Sequence, residues 1–560
     1  MAWELGAARP LCWTEPGRTT LEVKTGGWRT RRPVYVEATA PCRAACPAGE
    51  PVARWIELAR RGDLAAAWAV IREENPFPAI MGRVCAHPCE SACNRGQHDG
   101  AVAINALERF VGDWGLRHGT LARPELPRPE RVAVVGGGPA GLACAYHLSR
   151  RGYRLRLYEA EAELGGLLRY GIPEYRLPRV VLAREIELSL GPGVEVLTGQ
   201  RLGANLSWET VAAHDAVFLA TGASLPLGLG IGGEQAQGVG SGLAFLRDLA
   251  SGTRRALGRR LVVVGGGSTA MDVARSARRL GVPSVTVVAL EAREEMPALA
   301  EEVSQALGEG IEIRNGRGVA RLVELGGRVT GVAVAPARLE RGRDGAICPV
   351  FLPGPPEVIP ADSVLLAIGQ GTDLSVFPAA LRGRRGLVEA AADGSIPAQR
   401  MFAGGDAASS QRTVTHAIGA GTRAARQIHE ILSGAAEAQP APHPGAVAVP
   451  GHVVAFSEVN LDYFPRGERA ERPERPAGGR IGSFAEVVEG LDAAAARAET
   501  ARCFTCGHCV DCDTCLLYCP DMAVSRRDDG GYRISSDHCK GCGLCVHECP
   551  RGALQMVSER

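Results

Sequence analysis

The sequence predicts a multidomain protein: an all-α domain near the N-terminus, two α/β units in the middle, and a small α+β domain at the C-terminus. Three observations carry this. The 560 residues exceed what one core organises. The eighteen cysteines gather at the ends, five from Cys42 to Cys93 and ten from Cys503 to Cys549, leaving only Cys12, Cys144 and Cys348 apart. The middle, almost free of cysteine, holds two strand–glycine turn–helix patterns.

Composition narrows the class. A chain that is 46% hydrophobic and 22% charged has the balance of a globular protein, not a disordered one. Its 63 basic and 62 acidic residues leave a net charge of +1, so neither nucleic acid nor a membrane surface is expected as a partner. The longest uncharged stretch, residues 215–234, is broken by glycines and Pro226 and is not expected to insert into a membrane. Glu4 and the lack of an early apolar run argue against a secretory signal, so a cytoplasmic location is expected. Thiols stay reduced there, which makes the cysteines metal ligands rather than disulfides.

At the C-terminal end, Cys509, Cys512, Cys515, Cys519 and Pro520 form C-x2-C-x2-C-x3-C-P, and Cys539, Cys542, Cys545, Cys549 and Pro550 repeat it. This is the spacing of the bacterial two-cluster ferredoxin, in which the fourth cysteine of each run crosses to the other cluster. One cluster is expected on Cys509, Cys512, Cys515 and Cys549, the other on Cys519, Cys539, Cys542 and Cys545. Between the runs, Tyr532-Arg533-Ile534 reads as a strand of a small hairpin.

In the middle, Val132 to Val135 is a buried strand, and Gly136-x-Gly138-x-x-Gly141 turns it into a helix whose N-terminus suits a pyrophosphate. The next strand, 154–158, ends in Glu159, placed for a ribose 2′-OH. Leu261 to Ala270 repeats the pattern with Gly265-x-Gly267-x-x-Ala270, and its second strand leads to Glu291. Two such Rossmann-like units suggest FAD on one and a nicotinamide on the other. A helix from about Thr413 follows the Gly404-Gly405-Asp406 turn and is expected to meet the flavin.

From about residue 40 to 435 the chain resembles the small (β) subunit of glutamate synthase and its relatives. These include the N-terminal part of dihydropyrimidine dehydrogenase and the subunits that couple NADPH to ferredoxin. The resemblance rests on GRVCAHPCESAC, VVGGGPAGLACAYHL, the Ala220-Thr221-Gly222 strand end, VVVGGGSTAMDVAR, REEMPA and AGGDA. It implies FAD on Gly136, Gly138, Pro139, Ala140, Gly141, Glu159, Gly166, Gly222, Gly405 and Asp406. It puts the nicotinamide on Gly265, Gly267, Ser268 and Thr269, with Glu291 and Arg293 at the ribose. Members that use NADPH carry Tyr-Arg-Arg where this chain has Ala289, Leu290 and Glu291. A carboxylate repels a 2′-phosphate, so NADH is favoured, and Arg293 is the residue that could reverse the preference.

The resemblance also implies two clusters in the helical domain, which begins after Cys42-x3-Cys46-Pro47. A helix is expected from about Val52 and another from the N-cap Asp63 to about Glu74. One cluster takes Cys46, Cys85 and Cys89 with a non-cysteine fourth ligand, here Glu108. The other takes Cys42 and Cys93 with an upstream C-x2-C pair that this chain lacks. Cys503 and Cys506 lie just ahead of the ferredoxin run, which does not need them, and are expected to close this cluster. Fifteen thiolates and Glu108 then make four [4Fe-4S] clusters with none left over. Cys12, Cys144, Cys348, His87, His98 and His416 read as structural, and no redox-active disulfide motif appears in the nucleotide core.

The expected organisation is a lead segment (1–40), a helical iron–sulfur domain (41–125), and an FAD domain in two parts (126–230 and 366–432) around an NAD(P)H domain (231–365). A linker, with a helix over 483–500, fills 433–502, and the ferredoxin-like domain spans 503–560. The expected function is NAD(P)H:acceptor oxidoreduction, with NADH favoured. Electrons pass through FAD and the clusters to or from ferredoxin or a terminal reductase, and oligomerisation stays open. No acid–base catalytic group is expected, since the cofactors carry the chemistry. A glutamate synthase small subunit is the alternative, and a zinc-stapled scaffold a third reading.

Overall fold

The computed structural model describes residues 24–121, 126–341, 347–383, 386–396, 400–435 and 443–559. Cys12 lies outside them, and Cys348 is described only by its backbone, in strand Ile347–Phe351. The four valine and alanine positions from Val132 to Val135 are buried on both faces, as the centre of a parallel sheet requires. Arg131–Val135 lies between Ala216–Leu219 and Arg154–Tyr158. Val194–Leu197 closes one edge of the six-stranded sheet, and Met401–Ala403 with Ser395–Ile396 closes the other.

Between Ala216–Leu219 and Met401–Ala403 the chain leaves to build a second, all-parallel sheet. Its order is Glu312–Arg314, Ser284–Val288, Arg260–Val264, Ser363–Leu366 and Val239–Ser241. The first dinucleotide fold is therefore interrupted by the second. Antiparallel strands Arg317–Leu325, Arg328–Arg341, Ile347–Phe351 and Glu357–Pro360 extend the inserted unit. Helix Val414–Ser433 returns over helix Pro139–Arg150, so closely that a Cβ on Gly421 would lie 2.2 Å from the Ala140 carbonyl oxygen.

The two units are locked by buried charge. Glu309 accepts from Arg275 (2.8 Å) and Arg279 (2.6 Å), and all three side chains are fully buried. Both guanidinium groups stack on Tyr175 of the first unit, at 4.7 and 3.9 Å from its ring. Neighbouring Arg176 bridges Asp272 (2.7 Å) and Glu302 (2.5 Å) of the second. Burial penalises the Glu309 carboxylate, yet the hydrogen bonds from Arg279 and Arg275 outweigh it and hold the group below its ordinary range. Glu309→Ala strands two buried cations and is expected to cost about 3–5 kcal/mol, read as a lower urea midpoint. An unchanged midpoint would show that water already screens the pair.

The N-terminal domain is helical. Helix Val52–Arg60 is followed by Leu64–Ile71, capped by Asp63, which accepts from the Ala66 N–H at 2.9 Å. Pro78–Val84 packs on the 15-residue helix Ile104–His118. At the C-terminus, Tyr532–Ile534 pairs antiparallel with Val524–Arg526 as the small hairpin. No helix among the described residues is long and apolar enough to cross a membrane.

Two stretches differ from expectation. The helix placed over 483–500 is Ala493–Ala501 alone, because Asp492 caps it and accepts from the Ala495 N–H. The residues before it are extended and paired instead, the Val487 N–H donating to the Tyr175 carbonyl and the Arg475 N–H to the Val487 carbonyl. The lead segment and the linker also carry strands. Arg31–Thr39 is the centre of a three-stranded sheet, parallel to Val447–Val453 and antiparallel to Leu554–Ser558. Alternating valines make both strands good sheet formers, but their partners are hundreds of residues away. Residues 436–442 of that linker lie outside the described set.

Candidate cofactor sites

Many of the thiols predicted as ligands lie within electrostatic reach of one another. Burial pushes the Cys42 thiol well up, and the thiolates of Cys503, Cys93 and Cys506 push it further, so these four thiols lie near one another. Burial likewise raises Cys503 to about 12 and Cys506 to about 11. Cys89 is raised by burial and by Cys85, Glu108 and Cys46 around it. Cys509 feels Cys515 and Cys549, and Cys549 feels Cys512. Cys545 feels Cys539, Cys519 and Cys542, together with Cys515 of the neighbouring group. Buried thiols that oppose each other's ionisation are a donor set waiting for positive charge, which fits iron–sulfur clusters.

The backbone agrees. All five non-glycine residues with left-handed φ among the described residues lie in the cysteine loops: His87, Thr505, Asp511, Asp513 and Met522. Such conformations cost energy and persist where a loop is shaped for a ligand. Backbone N–H groups already point at sulfur, His87 to Cys85 (3.2 Å), Thr505 to Cys503 (3.4 Å) and Ala523 to Cys519 (3.2 Å).

Several neighbours carry no sequence signal. The Asn75 amide donates to both Glu50 and Glu108, at 2.8 Å each. Burial raises the Glu50 carboxyl to about 7 and drives Glu108 well above its ordinary range. Thr415 meets the Cys85 sulfur at 3.1 Å, Asn94 the Cys506 sulfur at 3.6 Å, and Tyr35 the Cys515 sulfur at 3.1 Å. Thr415 stands in the first turn of Val414–Ser433, the helix after the Gly405-Asp406 turn, so it joins the nucleotide core to the helical domain.

In the first dinucleotide unit, Gly136 is left-handed, and a Cβ there would lie 2.2 Å from the Ala220 carbonyl oxygen. A Cβ on Gly138 would meet only the Gly166 Cα, at 3.9 Å, which leaves an open cradle at the head of helix Pro139–Arg150. Glu159 accepts from the Gly137 N–H (2.7 Å) and the Glu161 N–H (2.8 Å). Gly222 borders open space, and the Thr221 and Tyr158 hydroxyls are buried without partners. Gly405 packs on Ala140 and brings Asp406 beside the turn, where burial raises its carboxyl to about 6.

The second unit repeats this arrangement. Gly265 is left-handed, a Cβ on Gly267 would meet nothing within 4 Å, and helix Ser268–Arg279 begins there with Ser268 and Thr269. The Glu291 carboxylate lies 2.4 Å from a Cβ built on Gly266, the place Glu159 takes beside Gly137. The buried Arg293 Nη1 has no hydrogen-bond partner. Open glycine cradles and orphaned polar atoms fit bound dinucleotides. Of the histidines read as structural, His416 bonds Thr413 at 2.8 Å, while the His98 Nε2 is buried unpartnered beside Phe504.

Paired dinucleotide units beside buried iron–sulfur ligand sets define the class, an NAD(P)H-dependent iron–sulfur flavoprotein oxidoreductase. The chain belongs to the pyridine nucleotide-disulphide oxidoreductase family, which it matches over residues 130–421. It also matches the 4Fe-4S domain II of dihydropyrimidine dehydrogenase over 31–120 and a 4Fe-4S dicluster domain over 508–554. It is 35% identical to the β subunit of the NADP(+)-dependent formate dehydrogenase of Moorella thermoacetica, over 76% of this chain and 64% of that one. It is 38% identical to the β subunit of an NADPH-Fe(3+) oxidoreductase of Geobacter sulfurreducens, over 70% and 64%. The chain thus spans under two thirds of either relative. To the glutamate synthase [NADPH] small chain of Escherichia coli it is 31% identical, over 70% of this chain and 88% of that one.

Proposed function

We propose that the protein moves electrons between NAD(P)H and an outside acceptor, ferredoxin or a partner reductase, through FAD and four [4Fe-4S] clusters. When bound, these groups supply two-electron exchange with the nicotinamide and one-electron exchange along the clusters. The observation that carries the reading is the continuity of ligand groups. Thr415 links the flavin side to Cys85 at 3.1 Å, and Cys506 and Cys509, three positions apart, serve neighbouring groups. The chain's own part is to hold, orient and shield. The cradles at Gly138 and Gly267 receive the pyrophosphates, Asp406 sits beside the flavin, and burial shields Cys42, Cys89, Cys506, Cys515 and Cys545 from water.

Anaerobic purification with counting of iron, zinc and FAD tests this. About sixteen irons and one FAD per chain support it. Zinc in place of iron would overturn it.

The Glu291 carboxylate over the second turn supports NADH as coenzyme. Glu291→Ala is expected to cut the preference of kcat/KM for NADH over NADPH by roughly 10–100-fold, the worth of a charged hydrogen bond. A ratio that does not move would put the choice elsewhere, with Arg293 next to examine. The 88% coverage of a glutamate synthase small chain favours one other reading, donation to a glutamine-dependent large subunit. NAD(P)H oxidation that requires glutamine and 2-oxoglutarate would select it.

A further inference from the structure

We propose that Tyr35 is a positioning residue for electron transfer: its hydroxyl hydrogen-bonds the Cys515 thiolate and raises the reduction potential of the cluster held by Cys509, Cys512, Cys515 and Cys549. This rests on the functional reading above and adds to it a group from outside the ferredoxin-like domain.

The geometry is specific. The Tyr35 Oη lies 3.1 Å from the Cys515 Sγ, across 480 residues of sequence. The residue is 6% exposed, and its ring stacks on Tyr532 at 5.8 Å and 21°. Its backbone is fixed by the ladder of Arg31–Thr39 with Leu554–Ser558, in which Tyr35 opposes Leu554. A thiolate that binds iron has no proton to give, so the tyrosine must be the donor.

Reduction adds negative charge to a cluster, and a donor aimed at one of its sulfurs favours the reduced form. The effect is largest where water is excluded, as it is here. The two ferredoxin-type groups are unequal in this respect. Among the described residues, no side chain donates to the sulfurs of Cys519, Cys539, Cys542 or Cys545; the backbone N–H of Ala523 reaches Cys519. The same strand also runs on to Cys42, and the Ala38 N–H donates to the Gly507 carbonyl between Cys506 and Cys509. One strand therefore carries the donor, holds the short segment between Cys506 and Cys509, and leads into the helix Pro41–Ala45 that bears Cys42. The donor favours electron arrival at the cluster nearest the N-terminal set.

The test is an EPR-monitored redox titration of the full chain, purified anaerobically, beside Tyr35→Phe, which keeps the stacked ring. One midpoint potential is expected to fall in the variant while the others and the iron content hold. Unmoved midpoints would overturn the proposal. If Tyr35→Phe loses iron, 3-fluorotyrosine at position 35 decides: it keeps ring and hydroxyl but is a more acidic donor, so one midpoint must rise. No rise overturns the proposal. A wild-type chain without the ferredoxin-type clusters would overturn the functional reading itself, a result distinct from clusters present at unshifted potentials.

Discussion

Replacing both Cys503 and Cys506 with alanine is expected to give a protein with about twelve irons per chain instead of about sixteen, still loaded with FAD. Cys42 and Cys93 alone cannot hold a cubane, which needs four ligands. NAD(P)H should still bleach the flavin of this variant, because the nucleotide sites lie in other domains. The ferredoxin-type clusters should no longer be reduced by NAD(P)H, although dithionite still reduces them. Rapid-mixing absorbance with EPR of frozen samples separates the two events. Sixteen irons in the variant would mean that these two cysteines are not ligands. Normal cluster reduction with twelve irons would mean that electrons bypass this group.

The second large effect concerns the glycine cradles. The Gly138 φ is −79°, which any residue adopts, and a Cβ there meets only the Gly166 Cα at 3.9 Å. Gly138→Val is therefore expected to fold normally and to purify with its iron but without FAD, since the branched side chain fills the space a pyrophosphate needs. At Gly267, with φ −91° and nothing near, valine should leave FAD bound and remove NAD(P)H oxidation. The pair thus assigns each nucleotide to its unit. FAD retained by Gly138→Val, or flavin still reduced by NAD(P)H in Gly267→Val, would reverse the assignment.

Much of this architecture was legible in the sequence because its signals are local. The cysteine runs, the glycine turns and the acids that follow each second strand declare themselves within thirty residues. Cys503 and Cys506 stand out because the ferredoxin run does not need them and because the resemblance implies a cysteine pair that the N-terminal end lacks. Tyr35, Asn94 and Thr415 were not reachable. Each is a single polar residue with no spacing, and each meets its sulfur across 330 to 480 residues. Glu50 and Asn75 were hidden in the same way, because a lone carboxylate or amide reads as surface until its burial is seen. The helix expected over 483–500 is shorter because the chain up to Gly490 is irregular and Asp492 caps the helix that does form.

The central place of Arg31–Thr39 in its sheet sets an order of events in the making of the protein. That strand is translated hundreds of residues before Leu554–Ser558, one of its two flanking strands. The Cys42 thiol likewise meets those of Cys503 and Cys506 across hundreds of residues. The core of the helical domain also takes in Val454, Val459, Phe464, Leu491, Ala496 and Phe504, so that core, this sheet and the thiols at the junction close only after those distant segments are out. Their loop entropy falls late, on already folded nucleotide units that hold the two ends near each other. Iron delivered to a nascent or truncated chain would find only half of that junction. Complete metallation therefore reports that translation has passed Cys549.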